Sequence, residues 1–310
     1  MSNGSDPPGG AVPRGAAVPP EAVDRAERGE PELLVLPSPD AVAAAAGERI
    51  AATLERAARE RGTAHFATTG GSSPIAIYRR LAAPPLRDRL PWDRIQVWWG
   101  DDRFVPRDHP DSNVLPLDQV LLRAGARSGQ AGDGADGSDL DGPPGVDAAT
   151  AQMGAPLPAA NLHPWPTLQA IGEGRDADWC AEQYAREMAA ALPVDPAGWP
   201  IFDLVIVGVG EDGHVLSCFP GSRALESDRW TLGIAAPTHV GPHLPRVTLN
   251  PAVLDAARAL IAITAGPGKA AALAGVFGPV RDERRWPAQR ARRRGATWIV
   301  DEAAAARIPR

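Results

Sequence analysis

The residue of this chain best placed for acid–base chemistry is His214, which ends a glycine-rich segment. Gly208, Gly210 and Gly213 are spaced as G-x-G-x-x-G directly after the apolar run 202–208. Glycines allow the backbone to bend sharply and to approach a ligand closely. An imidazole in such a segment can accept a proton near neutral pH, since its unperturbed pKa is about 6.5. The pattern therefore predicts a general base.

The same spacing formally matches a dinucleotide fingerprint, which leaves a nicotinamide-dependent oxidoreductase open. Glu226 or Asp228 stands near the offset expected of a ribose-binding acid. Against this interpretation, the segment lies in the middle of the chain, and a helix beginning at Gly213 would end by Pro220. Local capping or packing by the histidine is a further alternative. A nucleophilic Ser217 is conceivable, although the sequence has no G-x-S-x-G elbow.

A second segment brings carboxylates and a guanidinium together. Asp101, Asp102 and Arg103 follow the apolar run 94–99. Two carboxylates beside an arginine can orient sugar hydroxyls and stabilise negative charge that develops during a reaction. The plain alternative is a charged surface turn, whose ion pair would contribute little to stability.

A third segment has the composition of an anion-binding turn. Gly71, Ser72 and Ser73 follow the run 64–69 and precede Pro74, a residue that suits the first turn of a helix. Backbone N–H groups and hydroxyls at a helix N-terminus bind anions well. The Gly-Lys-Ser/Thr of a Walker A loop is absent. An ordinary serine-capped turn is the alternative.

Two cations stand in later segments. Arg246 opens the stretch RVTLN, and Lys269, the single lysine among 32 basic residues, follows a Gly-Pro-Gly turn at a predicted helix start. A cation at a helix N-terminus is slightly unfavourable unless an anion is bound beside it. Lys269 is therefore a candidate phosphate ligand, and a solvated lysine is the alternative.

The elements that must position these residues follow from short apolar runs alternating with Ala-rich stretches. Strands are predicted at 64–69, 94–99, 202–208, 231–236, 259–264 and 296–301. Helices are predicted near 40–61, 74–82, 114–123, 176–192, 214–218, 251–257, 268–275 and 301–306. Continuous apolar strands indicate burial on both faces. The sequence thus predicts an α/β fold: a doubly wound, mostly parallel sheet flanked by helices, with ligands beyond the carboxyl ends of its strands.

The amino-acid composition of two segments predicts the domain organisation. Residues 1–31 are rich in Pro, Gly and Ala, and 125–149 form a Gly/Asp/Pro-rich run. Such segments cannot offset their ordering entropy, so we expect a disordered tail and a mobile insert. The range 32–310 is expected to form a single catalytic domain.

Charge and cysteine usage narrow the class of protein. The net charge of -6 gives no reason to expect nucleic acid or an anionic membrane. The basic stretch 281–294 is interrupted by acidic and apolar residues, which favours a solvated surface. The sequence has two cysteines, no N-terminal leader pattern and no apolar run of about 20 residues. We therefore expect a cytoplasmic protein with no nucleic-acid or membrane partner.

Taken in order, these segments resemble the 6-phosphogluconolactonase family, which is grouped with the glucosamine-6-phosphate deaminases. The matching pieces are TGGSSP at 69–74, GDDRFVPRDHPDSN at 100–113, FDLVIVGVGEDGHVLSCFPGS at 202–222, RVTLNPAVL at 246–254, GPGKAAAL at 266–273 and ATWIVDEAAA at 296–305. The resemblance spans about 35–306 without the insert. It implies hydrolysis of 6-phosphoglucono-δ-lactone without a metal or an organic cofactor, by a monomer or homodimer.

The resemblance also implies roles for individual residues. His214 would activate water, Arg103 would stabilise the oxyanion, and Asp101 would position the sugar or the histidine. The phosphate would be held by the turn Gly71-Ser72-Ser73 together with Arg246 and Lys269. Gly208 and Gly210 would line the substrate site.

Two departures from the family pattern stand out. The family usually has Asp-Glu-Arg where this chain has Asp101-Asp102-Arg103, and it commonly has a hydroxyl where Val215 stands. No role is therefore given to Asp102. An amino-sugar-phosphate deaminase or isomerase of the same fold, and a non-catalytic sugar-phosphate-binding protein, remain alternatives. The Asp-Arg pairing and the FPGS ending at 219–222 favour the lactonase.

Overall fold

A computed structural model describes residues 11–16, 29–122 and 154–309. Its strands are β1 (Glu32–Leu36), β2 (Ala64–Thr68), β3 (Ile95–Trp99), β4 (Asp101–Arg103), β5 (Leu162–His163), β6 (Leu204–Val207), β7 (Thr231–Ile234), β8 (Arg246–Leu249), β9 (Leu260–Thr264) and β10 (Ala296–Asp301). Its α-helices are α1 (Pro39–Arg61), α2 (Ser72–Leu81), α3 (Leu86–Arg89), α4 (Thr167–Gly172), α5 (Ala177–Ala191), α6 (Val253–Ala256), α7 (Ala270–Val276) and α8 (Glu302–Ala305).

Seven of the described strands form one parallel sheet, in the order β1-β10-β9-β6-β2-β3-β5. Its central strand β6 is buried along its whole length. The side chains of Trp98, Trp99 and Trp298 are fully buried among the core residues. The predicted α/β class with a mostly parallel, doubly wound sheet is confirmed.

Helix α1 shows how local signals set an element that supports the sheet. The Ser38 side chain accepts a hydrogen bond from the Ala41 backbone N–H at 3.2 Å, which caps the first turn. At the other end Gly62 has φ 81°, the left-handed conformation that commonly ends a helix. The prediction at 40–61 therefore agrees closely with the observed bounds.

Strands β4, β8 and β7 form a separate antiparallel sheet in that order. The strand predicted at 231–236 exists as β7, but it belongs to this small sheet. Strand β8 begins at Arg246, and β4 begins two residues beyond the end of β3, after Gly100. The small sheet therefore pairs β4, which contains Asp101 and Arg103, with β8, which begins at Arg246, close to the end of β3 in the large sheet.

The N-terminal segment 11–16 lies against the rest of the described chain. The Arg14 guanidinium contacts the Asp228 carboxylate at 3.1 Å. This part of the predicted tail 1–31 thus has a packing partner, whereas the insert 125–149 lies outside the described residues. In the ranges that the structure describes, no helix is both long and apolar enough to cross a membrane.

Candidate active site

The sheet contains a switch point at which a crevice opens. From β2 the chain passes to its neighbour β3 on one side, and from β6 it passes to β9 on the other. Ligands of doubly wound folds bind beyond the carboxyl ends of the strands at such a point. A cavity of about 750 Å³ lies there, and the predicted site residues that line it are Gly71, Ser73, Asp101, Arg103, Gly208, Gly210, His214, Arg246 and Lys269. Ser72 lies between two of them in the chain, at the start of α2.

His214 is held by a carboxylate two residues before it. Its Nδ1 lies 2.5 Å from Asp212 Oδ1, and its backbone N–H donates to the same oxygen at 3.1 Å. Burial raises the pKa of Asp212, but the hydrogen bonds and charge of His214, with a contribution from His239, outweigh it and hold this pKa well below its usual range. An ionised carboxylate only accepts hydrogen bonds, so Nδ1 of His214 carries a proton, and in the neutral ring Nε2 is the acceptor. The pair can therefore act as an oriented general base.

The glycines of this segment make room for the histidine. A Cβ on Gly210 would lie 2.0 Å from His214 Nδ1, and Gly213 has φ 83° with a Cβ position only 2.5 Å from the Trp286 ring. Residues 208–222 are all described and contain no α-helix, so the helix predicted near 214–218 is wrong. Positive φ values at Gly213 (83°) and Leu216 (55°) prevent helical continuation. Without a helix N-terminus the G-x-G-x-x-G match loses its dinucleotide interpretation.

Asp101 lies at the cavity wall and is buried. Its Oδ2 accepts a hydrogen bond of 2.7 Å from the hydroxyl of Ser217. The Ser217 proton is thus directed to Asp101, and not to His214 as a nucleophilic serine would require. Among the described contacts the carboxylate that orients His214 is Asp212, which leaves Asp101 to orient polar groups of a ligand.

Asp102 faces away from the cavity and organises a loop. It accepts hydrogen bonds from the backbone N–H groups of Arg103 and Asn113, both at 2.7 Å, and from the Ser112 hydroxyl at 3.1 Å. Burial raises the pKa of this carboxyl to about 7, against the lowering effect of those hydrogen bonds. The Asn113 side chain then packs against Gly70, where a Cβ would lie 1.8 Å from its Oδ1. The shorter acid at position 102 therefore has a structural role beneath the site.

Arg103 and Arg246 supply positive charge to the cavity from the small sheet. They are direct partners in the antiparallel pairing of β4 with β8. Arg103 donates to the carbonyl oxygen of Asp111. Arg246 donates to the carbonyl oxygen of Pro242 at 2.7 Å, and its buried Nε has no hydrogen-bond partner among the described residues. Burial, and then the charge of Arg103, lower the pKa of Arg246. Arg246 thus keeps a donor that an anionic ligand in the cavity could use, and Arg103 beside it adds positive charge.

The predicted phosphate turn also lines the cavity. Gly71 precedes α2 with φ 103°, a conformation that residues with a Cβ rarely adopt. Ser73 lies in the first turn of that helix, Lys269 immediately precedes α7, and both residues line the cavity. Thr264 is a further lining residue, and its buried hydroxyl oxygen has no partner among the described residues. Donors of hydrogen bonds thus reach the cavity from several elements.

Sequence reasoning missed three ionisable residues that line this cavity, namely Glu211, Asp212 and His239. Asp212 could have been found from its spacing, since a residue two positions before His214 in a tight turn can hydrogen-bond its ring. His239 gave no local signal, because it reaches Asp212 from the loop between β7 and β8. In the described part of the chain, no group of three or more His, Cys, Asp and Glu residues is arranged to hold a metal ion.

The doubly wound sheet and its switch-point cavity define an α/β enzyme that binds a small molecule at the carboxyl edge of the sheet. Residues 37–299 match the family described as glucosamine-6-phosphate isomerases/6-phosphogluconolactonase, and the chain belongs to that family.

Relatives support the family over nearly the whole chain. A 6-phosphogluconolactonase of Streptomyces coelicolor is 34% identical over 285 residues, which covers 90% of this chain and 95% of the relative. The 6-phosphogluconolactonase of a Synechocystis species is 32% identical over 259 residues, with 81% and 87% coverage. The solved structure of 6-phosphogluconolactonase from Trypanosoma cruzi superposes with a TM-score of 0.71 at 25% identity, covering 89% of this chain and 96% of that one.

Proposed function

We propose that this protein hydrolyses 6-phosphoglucono-δ-lactone to 6-phosphogluconate, a step of the oxidative pentose phosphate pathway. The observation that carries the proposal is the meeting of the His214–Asp212 pair with Arg103, Arg246 and Lys269 at one cavity. An oriented base and a set of cations are what hydrolysis of a phosphorylated lactone needs. The names of the relatives, which are hydrolases of this lactone, support the same reaction.

The reaction begins with a water molecule between His214 and the lactone carbonyl. Nε2 of His214 takes a proton from this water as the oxygen attacks the carbonyl carbon, and Asp212 stabilises the imidazolium that forms. Arg103 faces the negative charge that develops on the carbonyl oxygen. The intermediate collapses by breaking the bond to the ring oxygen, which receives the proton from His214 and becomes the hydroxyl of the open product.

The phosphate is held away from the reacting carbon. The turn Gly71-Ser72-Ser73 donates backbone N–H groups and Ser73 adds its hydroxyl, while Arg246 and Lys269 donate charged hydrogen bonds. Binding at this remote group fixes the carbonyl near His214, and such positioning lowers the barrier to reaction.

The remaining predicted groups shape the sugar site. Asp101 accepts hydrogen bonds from sugar hydroxyls with the oxygen that Ser217 leaves free. Gly208 and Gly210 keep the wall beside His214 open to the substrate, because neither carries a side chain.

The proposal extends to the cellular setting. The range 32–310 acts as one catalytic domain, as a monomer or a homodimer, in the cytoplasm. Cys180 and Cys218 support this location, since both are free and buried, and burial raises the pKa of each thiol to about 12. The partner is the small-molecule lactone.

A coupled assay tests the activity. Glucose-6-phosphate dehydrogenase and NADP generate the lactone from glucose 6-phosphate, and the loss of lactone is followed with and without the protein. We expect loss far faster than spontaneous hydrolysis. A rate equal to the spontaneous one, with ammonia released from glucosamine 6-phosphate instead, would assign the site to the deaminases of the family. Quenching of protein fluorescence by NADP alone would revive the oxidoreductase alternative.

A further inference from the structure

Asp212 is shared between two imidazoles. Its Oδ1 binds His214, while its Oδ2 lies 2.9 Å from His239 Nε2. Because the ionised carboxylate can only accept, His239 must carry a proton on Nε2. The two rings are also joined through Phe219, whose centroid lies 4.8 Å from that of His214 and 5.7 Å from that of His239.

His239 belongs to the loop 235–245, which connects β7 to β8. Within this loop His243 Nδ1 lies 2.7 Å from the Pro237 carbonyl oxygen. Arg246, the first residue of β8, donates a hydrogen bond to the Pro242 carbonyl oxygen. His239 is the residue that connects the loop to the turn of His214, and with Val240 it lines the cavity.

We propose that His239 is a positioning residue for the reaction: through its hydrogen bond to Asp212 it fixes the carboxylate that orients His214, and it fastens the loop 235–245 across the cavity. The proposal rests on the lactone hydrolysis proposed above. His239 acts through Asp212 and does not touch the reacting atoms.

The shared carboxylate couples the two histidines mechanically. The hydrogen bond from His239 holds Oδ2 of Asp212, so Oδ1 stays directed at Nδ1 of His214. Asp212 on the facing turn is the ionisable group that His239 contacts, and His243 lies on the same loop as His239. The other ionisable residues that line the cavity are Asp101, Arg103, Glu211, Arg246 and Lys269.

Two substitutions at His239 test its hydrogen bond to Asp212. Gln can donate from a position close to that of Nε2 but cannot be protonated, whereas Phe keeps the ring and cannot donate. We expect His239→Phe to lower kcat roughly fivefold, the effect of one partly exposed hydrogen bond, with KM nearly unchanged. His239→Gln should restore most of this loss.

Rescue by a donor distinguishes positioning from a merely structural role. His239→Gln keeps a hydrogen-bond donor to Asp212, so its kcat should lie closer to the wild type than that of His239→Phe. His243→Gln is the matched control, since it changes the other histidine of the same loop and leaves the contact between His239 and Asp212 in place. Its kcat should stay near that of the wild type. A loss of kcat in His239→Gln as large as that in His239→Phe would overturn the proposal.

A measurement without substrate keeps the proposal separate from the activity. Long-range ¹H–¹⁵N NMR correlations of the histidine rings report which nitrogen carries the proton. In the neutral rings we expect the proton on Nδ1 in His214 and on Nε2 in His239, because each of these nitrogens faces Asp212. If the tautomers are reversed, the proposal is wrong whether or not the lactone is hydrolysed.

Discussion

Arg103 and Arg246 face each other directly across the antiparallel pair β4–β8, with their strands joined in register. Like charges at opposed positions of a sheet destabilise it unless another group neutralises them. Arg246 is only 3% exposed, and burial together with Arg103 lowers its pKa. The charges of Asp101, Asp102 and Asp111 raise this pKa and so offset part of the repulsion, and an anionic ligand beside the two arginines would offset more of it.

The first prediction concerns this anion. Adding 6-phosphogluconate should raise the melting temperature of the wild type by several degrees, since a ligand at 100 times its Kd stabilises a protein by about 2.7 kcal/mol. Arg246→Met should lose most of this rise while it folds at least as well without ligand, because a buried, crowded cation has been removed. Differential scanning fluorimetry across a ligand series measures both effects. An undiminished rise in the variant would show that Arg246 does not hold the anion.

The second prediction concerns Asp212. Asp212→Asn keeps the size of the side chain but removes the charge that stabilises an imidazolium at His214, so kcat should fall roughly 10²–10⁴-fold. Asp228→Asn is the control, since that acid contacts Arg14 away from the cavity. Steady-state kinetics of the two variants are compared at one pH. A similar kcat in both would mean that Asp212 has no part in the reaction.

The third prediction uses two glycines of one turn. A methyl group on Gly210 would lie 2.0 Å from His214 Nδ1 and 2.5 Å from Asp212 Oδ1, whereas one on Gly208 would meet nothing within 4 Å. Gly210→Ala should therefore displace the ring and lower kcat strongly. Gly208→Ala narrows the cavity and should change KM more than kcat. Equal losses of kcat would indicate that the close approach of His214 to Gly210 is not needed.

The fourth prediction concerns stability and pH. The pKa of Asp102 is about 7 in the folded protein against 3.8 for an ordinary Asp. At a pH between these two values, Asp102 is therefore protonated in the folded state and ionised in the unfolded state. The free energy of unfolding contributed by this group is fully present below about pH 4 and is lost as the pH rises through about 7.

Asp102→Asn tests this sign. Its amide oxygen can still accept from the N–H groups of Arg103 and Asn113, and it does not ionise. The melting temperature of the variant should match the wild type near pH 5 and exceed it at pH 8. A variant that is less stable at pH 8 would show that Asp102 is needed there as a carboxylate.

Much of the large sheet could be predicted from the sequence because its strands are continuous apolar runs. The strand at β6 and the helix α1 carry their own signals, in burial pattern and in the caps Ser38 and Gly62. Strand β1 was missed because none of its residues is buried, and it is defined by its pairing with β10 at one edge of the sheet. Strand β8 was treated as a loop, since its pairing partners 101–103 and 231–234 are far away in the chain.

The site was predictable where one segment carries the whole pattern. His214 with its glycines, the turn at 71–73, and Lys269 as the single lysine could each be found locally. The contact of His239 with Asp212, and the pairing of Ser217 with Asp101, join residues on separate segments, and only the fold brings them together. The helix predicted near 214–218 failed because Leu216 adopts a positive φ that composition does not reveal.

The central claim is that His214 is the base at the cavity that also binds the phosphate. The most direct test compares hydrolysis of 6-phosphoglucono-δ-lactone by the wild type and by His214→Ala, together with the Kd of 6-phosphogluconate for each. The account predicts that the variant loses most of the acceleration over spontaneous hydrolysis, roughly 10²–10⁴-fold, and binds the product almost as well as the wild type. Equal hydrolysis rates in the two proteins would contradict it.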